Sequence, residues 1–250
     1  KAEDGFANLK TTRDIIDSFP EYKGLQIHIT EFNSSYTPQG VIHDTNLNAA
    51  FIAQQLSRLG DVNESYSYWT FGDVFEELGV PFTPFHGGFG LVANGCITKP
   101  TFWTFAFYKK LEESEANCVY KDDNVVVLKR ANGDYLGVEQ GKEKMLLEFT
   151  FPAEQEEYCF LTKTVDEETC NPLKVWHDMG EPANLSEEQT KLIRESSRPF
   201  VKTERKKQED GNICVELPVN ENGVVYFELN AGKVNPDRGY DYDRVVSLKA

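Results

Sequence analysis

The order of helix and strand patterns before residue 115 constrains the fold most strongly. The sequence predicts helices over 6–18, 44–59 and 100–113, with strands over 25–31 and 62–71 between them. Strands that alternate with helices are typical of a parallel sheet with crossover helices. The first 115 residues are therefore expected to form an α/β unit.

The second helix has the clearest pattern of the three. Asp44 is its expected N-cap, and Gly60 follows at a position suited to end it. Apolar residues between them recur at helical spacing and form one stripe, which consists of Ala49, Ile52, Ala53, Leu56 and Leu59. This stripe predicts an amphipathic helix with one buried face.

Glu31 stands at the carboxyl end of the first strand, LQIHITE, whose composition predicts a strand in a buried sheet. In open parallel sheets and in barrels, ligands bind at the carboxyl ends of the strands. The loop 72–95 leaves the second strand at the same edge. A site is therefore expected where Glu31 and this loop meet.

The sequence after residue 115 has the pattern of an all-β structure. Asn-Gly pairs lie within 125–138 and 213–229, and each pair predicts a hairpin with a type I′ turn. Further β-rich runs at 146–151 and 159–165 favour an antiparallel sandwich. Ser186 with Gln189 forms a capping box ahead of a short predicted helix, 187–197.

Charge and motif content exclude several classes of function. The balance of 41 acidic and 26 basic residues gives a net charge of −15, which disfavours nucleic acid and anionic membranes as partners. No apolar run reaches the roughly 18 residues of a spanning helix, and the start shows no signal-peptide pattern, which favours a cytoplasmic protein. The five cysteines lack zinc-site spacing, so we expect reduced and mostly buried thiols and no metal.

The residues alone leave the role of Glu31 open among nucleophile, general acid or base, metal ligand and solvated strand end. Trp69 lies near the end of the next strand, and an aromatic face beside a carboxylate suits a sugar ring. Asp73, Glu76 and Glu77 follow within a short acidic run that fits either sugar recognition or a solvated surface. The glycines of HGGFG, 86–90, fit either close approach to a ligand or a tight turn.

Three segments resemble the end of the catalytic barrel of glycoside hydrolase family 39, which contains β-xylosidases and α-L-iduronidases. They are ITEFNSSY, SYWTFGDVFEELGVPFTPFHGGFGL and KPTFWTF. CNPLKVWHDMGEPANLS, 170–186, is similar to part of that family's appended sandwich. The chain departs from the family pattern at Phe32, where Trp is usual, and at Gly72, where Ser is common. The resemblance implies the C-terminal part of a (β/α)8 TIM barrel followed by an antiparallel β-sandwich, and it is closest to the xylosidase branch.

The resemblance also implies residue roles in a retaining mechanism that uses no cofactor. Glu31 would be the catalytic nucleophile, and Trp69 would form the floor of the sugar subsite. Glu76 or Glu77 would accept hydrogen bonds from xylose hydroxyls, while His86 would either line the subsite or brace its loop. His28 and His43 are weaker candidates. His28 is expected to be a hydrogen-bonded strand residue, and His43, beside Asp44, would contact substrate from the loop after Glu31.

A retaining glycosidase also needs an acid/base carboxylate, and the family takes it from an Asn-Glu-Pro segment that this sequence lacks. Two predicted strands cannot close a barrel, which needs at least about 200 residues. We therefore expect a barrel segment at 1–115, a sandwich at 116–235 and a tail at 236–250. Such a segment would need the missing barrel portion or a second copy of itself.

Three functional interpretations remain open on the sequence. The first is a β-xylosidase-like portion that acts on xylosides or xylo-oligosaccharides but is inactive alone. The second is a carbohydrate-binding sandwich, and the third is a structural or oligomerisation piece. In the second interpretation sugar would stack on one or more aromatic residues of the sandwich, with Tyr120, Tyr135, Tyr158 and Trp176 as candidates.

Overall fold

Helices and short strands alternate in the first part of the computed structural model, which describes residues 2–74, 79, 81–232 and 246. The helices and the first two strands run in the predicted order. Their bounds are α1 Ala2–Asp17, β1 His28–Phe32, a 3-10 helix Val41–Asp44, α2 Asn46–Ser57, β2 Ser65–Tyr68, β3 Val92–Ala93, β4 Ile97–Thr98 and α3 Pro100–Glu113. The prediction for α3 is confirmed, because Pro100 occupies the first turn, where its missing N–H removes no helical hydrogen bond.

The strands β1 and β2 pair in parallel, as the sequence predicts, with His28 opposite Ser65 and Ile29 opposite Tyr66. They form a sheet of their own in the described part of the chain. The expectation of a buried strand is wrong for β1, since all five of its residues are half-buried or exposed. A parallel sheet is normally covered on both faces. The exposure of β1 is therefore that of a sheet without such cover.

The expected N-cap of α2 is also wrong. Thr45 is the N-cap, and it makes no side-chain capping hydrogen bond. Asp44 instead ends the preceding 3-10 helix with its side chain buried. Ala49, Ile52 and Ala53 of the predicted stripe are fully buried, whereas Leu59 lies beyond the helix and is exposed. The apolar stripe therefore predicted the buried face correctly, but not the helix ends.

In the described part of the chain, eight strands follow α3 and form two antiparallel sheets. The strands are β5 Asn117–Lys121, β6 Val125–Lys129, β7 Tyr135–Gly141, β8 Met145–Pro152, β9 Glu157–Val165, β10 Phe200–Lys207, β11 Asn212–Val219 and β12 Gly223–Ala231. The larger sheet has the order β10-β9-β12-β7-β6-β5, and the smaller one pairs β11 with β8. Helices α4 Pro172–Asp178 and α5 Glu187–Ser196 lie between β9 and β10, and the predicted capping box of Ser186 and Gln189 is confirmed.

The two Asn-Gly turns differ from the prediction. The first joins the antiparallel strands β6 and β7, but only Gly133 of its pair has a positive φ, +89°. The second joins β11 to β12, which belong to different sheets, so 213–229 is not a hairpin. Asp210-Gly211, between β10 and β11, does have a positive φ at both residues. Asp-Gly has the same preference for type I′ turns, and this signal was missed.

The larger sheet has an apolar layer on each face, which gives three layers. One face packs on the smaller sheet through Phe151, Ile213, Leu217 and Phe227. The other face packs on α2 and α3, where Phe107 stacks on Tyr226 with ring centroids 5.4 Å apart. The elements before residue 115 are thus anchored on the sandwich by a continuous apolar layer.

Two of the aromatic residues proposed to stack on sugar, and most of the cysteines, do not have the exposure that the sequence predicts. Tyr158 and Trp176 are buried, and the indole of Trp176 packs against Phe85, so neither offers a face to a sugar. All five cysteines are free, but only Cys170 is buried, so the expectation of mostly buried thiols is wrong. None of the described helices is long and apolar enough to cross a membrane.

Candidate active site

Glu31 and Trp69 line one pocket at the carboxyl ends of β1 and β2. Parallel pairing places the two strand ends side by side, and the Trp69 N–H extends the pairing by donating to the Phe32 carbonyl at 3.0 Å. The pocket has a volume of about 340 Å³. Its lining consists of Glu31, Phe32, Asn33, Ser34, Ser35, Tyr36, Trp69 and Phe89.

Asn33 fixes the backbone around Trp69. Its Nδ2 lies 2.5 Å from the Trp69 carbonyl and 3.4 Å from that of Phe89, and its Oδ1 accepts the Ser34 N–H at 2.7 Å. The peptide bond between Trp69 and Thr70 is cis. Because Asn33 is two residues from Glu31, these hydrogen bonds link the segment that carries the carboxylate to the segment that carries the indole.

Lys99 joins the two loops behind the pocket in a buried ion cluster. Its Nζ lies 2.6 Å from Asp44 and 2.9 Å from both carboxylate oxygens of Asp73, and none of the three side chains is more than 3% exposed. The Nζ also donates to the Gly88 carbonyl at 2.8 Å. The contact between Lys99 and Asp44 is an ion pair and not a hydrogen bond, because no donor meets the Asp44 Oδ1 in hydrogen-bond geometry. We call Asp44, Asp73 and Lys99 the ion triad.

Within the ion triad, burial raises the pKa of Asp73 and is the largest influence on it. The Lys99 ammonium opposes this shift, whereas the Asp44 carboxylate adds to it. Two carboxylates facing one ammonium leave a formal charge of −1 in a buried space. The hydrogen bonds to the glycine loop provide the remaining polar contacts of the triad.

The glycine loop, 86–90, packs on the chain itself. Gly87 donates to Asp44 at 2.6 Å and Gly90 to Asp73 at 2.8 Å. A Cβ on Gly87 would lie 2.6 Å from the backbone of Gly40, and one on Gly90 would lie 2.4 Å from that of Gly72. The close approach predicted for these glycines is therefore real, but it is to neighbouring backbone.

His43 bridges the same loops from a fully buried position. Its Nδ1 lies 2.8 Å from the Gly87 carbonyl, and its Nε2 lies 3.2 Å from the Ser35 carbonyl. Ser35 lines the pocket, so His43 connects the glycine loop to the pocket wall. By contrast His28 lies on β1, where Nδ1 contacts the Ser65 hydroxyl at 2.8 Å, which agrees with its predicted hydrogen-bonded role.

His86 is not among the described residues that line this pocket. His86 is half-buried in the glycine loop. Glu76 and Glu77 lie outside the described residues, so their roles stay predictions. No group of three metal-ligating side chains occurs in the described ranges.

Sequence reasoning missed Asn33 and Lys99. Lys99 did carry a signal: it is the N-cap residue of α3, and a cation at a helix N-terminus opposes the helix dipole. Such a placement indicates that the ammonium has acidic partners elsewhere. No comparable signal marks Asn33, because its partners are backbone carbonyls brought near by the parallel pairing of β1 and β2.

Comparison with known proteins identifies the family. Residues 2–214 match the model of glycosyl hydrolases family 39. The chain belongs to this family. A β-xylosidase of Geobacillus stearothermophilus is 38% identical over 237 residues, which cover 91% of this chain and 45% of the relative. A β-xylosidase of Caldicellulosiruptor saccharolyticus is 30% identical over 250 residues, which cover 93% and 49%.

Solved structures of the family share the fold. A family 39 β-xylosidase from Caulobacter crescentus superposes with a TM-score of 0.77 at 28% identity, over 90% of this chain and 48% of that protein. The family resemblance seen in the sequence is thus confirmed. This family 39 chain spans about half the length of the relatives it matches.

Proposed function

We propose that this chain is the C-terminal portion of a retaining glycoside hydrolase that acts on β-xylosides or xylo-oligosaccharides. The observation that carries the proposal is the shared pocket of Glu31 and Trp69 at the carboxyl ends of parallel strands. Family membership and the names of the β-xylosidase relatives support the substrate class. In this proposal β1 and β2 are the last two strands of a barrel.

Glu31 acts as the nucleophile in the proposed reaction. Its carboxylate oxygen forms a bond to the anomeric carbon while the glycosidic C–O bond breaks, and an acid delivers a proton to the leaving oxygen. Water then attacks the glycosyl-enzyme and releases Glu31, with the same acid group now acting as base. Trp69 offers its ring as the floor on which the C–H face of the sugar stacks.

The acid/base group must come from outside the described residues. It has to lie about 5–5.5 Å from the nucleophile, and Glu31 is the one carboxylate among the described residues that line the pocket. Glu76 and Glu77 belong to the loop after β2 and are assigned to sugar hydroxyls in this proposal, not to proton transfer. The chain alone is therefore expected to be inactive.

Reconstitution tests the proposal. The half of the Geobacillus enzyme that this chain does not match would be co-expressed with the chain, and hydrolysis of an aryl β-xyloside measured. Turnover should require both polypeptides and should disappear in Glu31→Gln. Glu216→Gln is the matched control, because Glu216 is an exposed carboxylate on β11, away from the pocket.

Two results would contradict the proposal. Turnover by the isolated chain that disappears in Glu31→Gln would show that the acid/base group is present here after all. A reconstituted, active complex in which Glu31→Gln retains full activity would remove the nucleophile assignment.

A further inference from the structure

A second cavity lies in the sandwich, far from Glu31 in the sequence. The smaller sheet has two strands among the described residues. It covers part of the six-stranded sheet and leaves β5 and β6 facing a groove of about 660 Å³. We call this space the sandwich groove. Its walls include Tyr120, Tyr135, Phe149 and Phe151.

Glu139 is the unusual residue of the sandwich groove. It is fully buried on β7, and neither of its carboxylate oxygens has a hydrogen-bond partner among the described residues. Burial raises its pKa to about 9, and the nearby Asp122 carboxylate adds to the shift. Buried polar groups in native proteins are almost always paired. Glu139 lines the groove, so a partner for its carboxyl can reach it through this space.

The charge around Glu139 defines what that partner should be. Asp122 also lines the groove, and its two oxygens accept from the Val125 N–H and the Tyr120 hydroxyl at 2.8 and 2.9 Å. Glu148 adds a third carboxylate, whereas the one basic residue among the described lining groups, Lys129, is paired with Glu154 at 2.6 Å. An acidic groove with aromatic walls favours a cation on an apolar stem. A cation beside Glu139 would lower the raised pKa of its carboxyl and favour the ionised form.

The edge of β8 beside the groove indicates that the partner has an extended backbone. β8 pairs with β11 along its whole length, from Met145 to Pro152, and its other edge has no described neighbour. Six consecutive β8 residues, 147–152, line the groove, as expected for a strand that presents its edge. The inward-facing Met145, Leu147 and Phe149 are only half-buried. An exposed strand edge of this kind is a template for another strand.

We propose that an extended protein segment adds as a strand along the free edge of β8 and places a Lys or Arg side chain against Glu139. The segment belongs to the part of the hydrolase that these 250 residues do not span. This source rests on the proposed function and on the chain spanning about half the length of its relatives. A sugar would use the aromatic walls but would leave the edge of β8 without backbone partners.

Peptide binding to the 250-residue chain tests the inference without any sugar chemistry. The probes are fluorescein-labelled extended peptides of about seven residues with alternating Thr and Val and a central Lys, norleucine or Glu. We expect the Lys peptide to bind at least about tenfold more tightly than the Glu peptide at neutral pH. N-methylation of alternate amides along one edge should abolish binding, because it removes the strand hydrogen bonds.

Variants of Glu139 give the decisive comparison. Glu139→Gln should remove the preference for Lys over norleucine, and Glu139→Lys should reverse the preference toward the Glu peptide. Glu216→Gln on the outer face of β11 is the control and should change neither. If the charge-reversed variant does not fold, Glu139→Gln alone still decides the result.

Three outcomes would overturn the inference: no binding of any peptide, equal binding of all three, or a preference for Lys that survives Glu139→Gln. Displacement of the peptide by xylohexaose, with sugar affinity lost in Tyr120→Ala, would also overturn it and would favour a carbohydrate-binding sandwich. Since peptide binding and xyloside turnover are measured separately, a failed reconstitution and a failed strand addition remain distinguishable.

Discussion

At the scale of single residues, Glu139 links folding to pH. Its carboxyl has a pKa of about 9 in the folded chain, against an ordinary 4.5. Between these values folding binds a proton, so the free energy of unfolding should fall as pH rises, by at most about 1.4 kcal/mol per pH unit. Glu139→Gln should flatten this decline in urea unfolding measured from pH 5 to 8.5.

The comparison with Glu139→Gln isolates one residue, because burial also raises the pKa of Asp73 and that contribution, of the same sign, stays in the variant. Glu216→Gln provides the control, since Glu216 is an exposed carboxylate on β11. Parallel stability curves for wild type and Glu139→Gln would show that Glu139 is ionised in the folded chain.

Residue-level prediction from the sequence succeeded where backbone order alone determines position. Glu31 and Trp69 end adjacent parallel strands, so strand order is enough to place them at one edge. Asp44 fits an N-cap by sequence, but its actual role depends on Lys99, 55 positions later, which reaches it at 2.6 Å. The sequence pattern indicates the local preference of Asp44 for an N-cap position. The tertiary ion pair with Lys99 overrides that preference.

At the scale of elements, the glycine loop is held by close backbone contact. Gly87→Ala should lower the free energy of unfolding by about 3 kcal/mol or more, because φ is +74° and the new Cβ would meet the Gly40 backbone at 2.6 Å. Gly60→Ala is the matched control: φ is +89° but nothing lies within 4 Å. It should cost only about 1–2 kcal/mol, and equal losses in urea unfolding would contradict the close packing.

The ion triad should stabilise the two pocket loops as one unit. Lys99→Met leaves Asp44 and Asp73 as buried carboxylates without a counter-ion, so we expect a loss of about 3–5 kcal/mol in urea unfolding. Addition of Asp73→Asn to Lys99→Met should restore part of the loss. Lys109→Met removes an exposed ion pair on α3 and should change little.

Hydrogen exchange of the glycine-loop amides distinguishes two roles of the ion triad: positioning of the glycine loop and a general contribution to stability. The N–H groups of Gly87 and Gly90 should lose hydrogen-exchange protection in Lys99→Met, while sandwich amides such as those of β12 keep theirs. Uniform loss of protection across both regions would indicate that Lys99 has no specific role in the loops.

Prediction of elements was most accurate where local chemistry decides the structure. The start of α3 at Pro100 and the capping box of α5 depend on neighbouring residues only, and both are confirmed. The turn at Asn222 was misread because its geometry depends on which sheet the next strand joins. That choice is made by packing between Phe227 and the smaller sheet, which no local pattern shows.

At the scale of the whole molecule, the two parts of the chain differ in how completely their sheets are covered. The six-stranded sheet has apolar layers on both faces, whereas β1 and β2 form an exposed two-stranded parallel sheet. The sequence predicted this imbalance from the count of strand and helix units. It could not predict that α2 and α3 pack on the larger sheet, because that contact joins segments far apart in sequence.

The exposed face beside β2 should make the isolated chain associate. A groove of about 860 Å³ lies between α2, α3 and β2, with Leu56, Tyr66, Leu91 and Phe105 in its lining. Apolar surface of this kind, next to free strand edges, is a binding surface or an aggregation hazard. Sedimentation velocity of the isolated chain should therefore show association that grows with concentration.

Addition of the complementary half of the Geobacillus enzyme should replace this self-association by a single one-to-one complex, because both polypeptides would then pair their open parallel edges. Tyr66→Lys should weaken the complex, since it places a charge in the apolar groove, whereas Tyr22→Lys should not, because Tyr22 is exposed in the turn after α1. A monodisperse, folded monomer at all concentrations, indifferent to the added half, would show that the two-stranded sheet is stable as it stands.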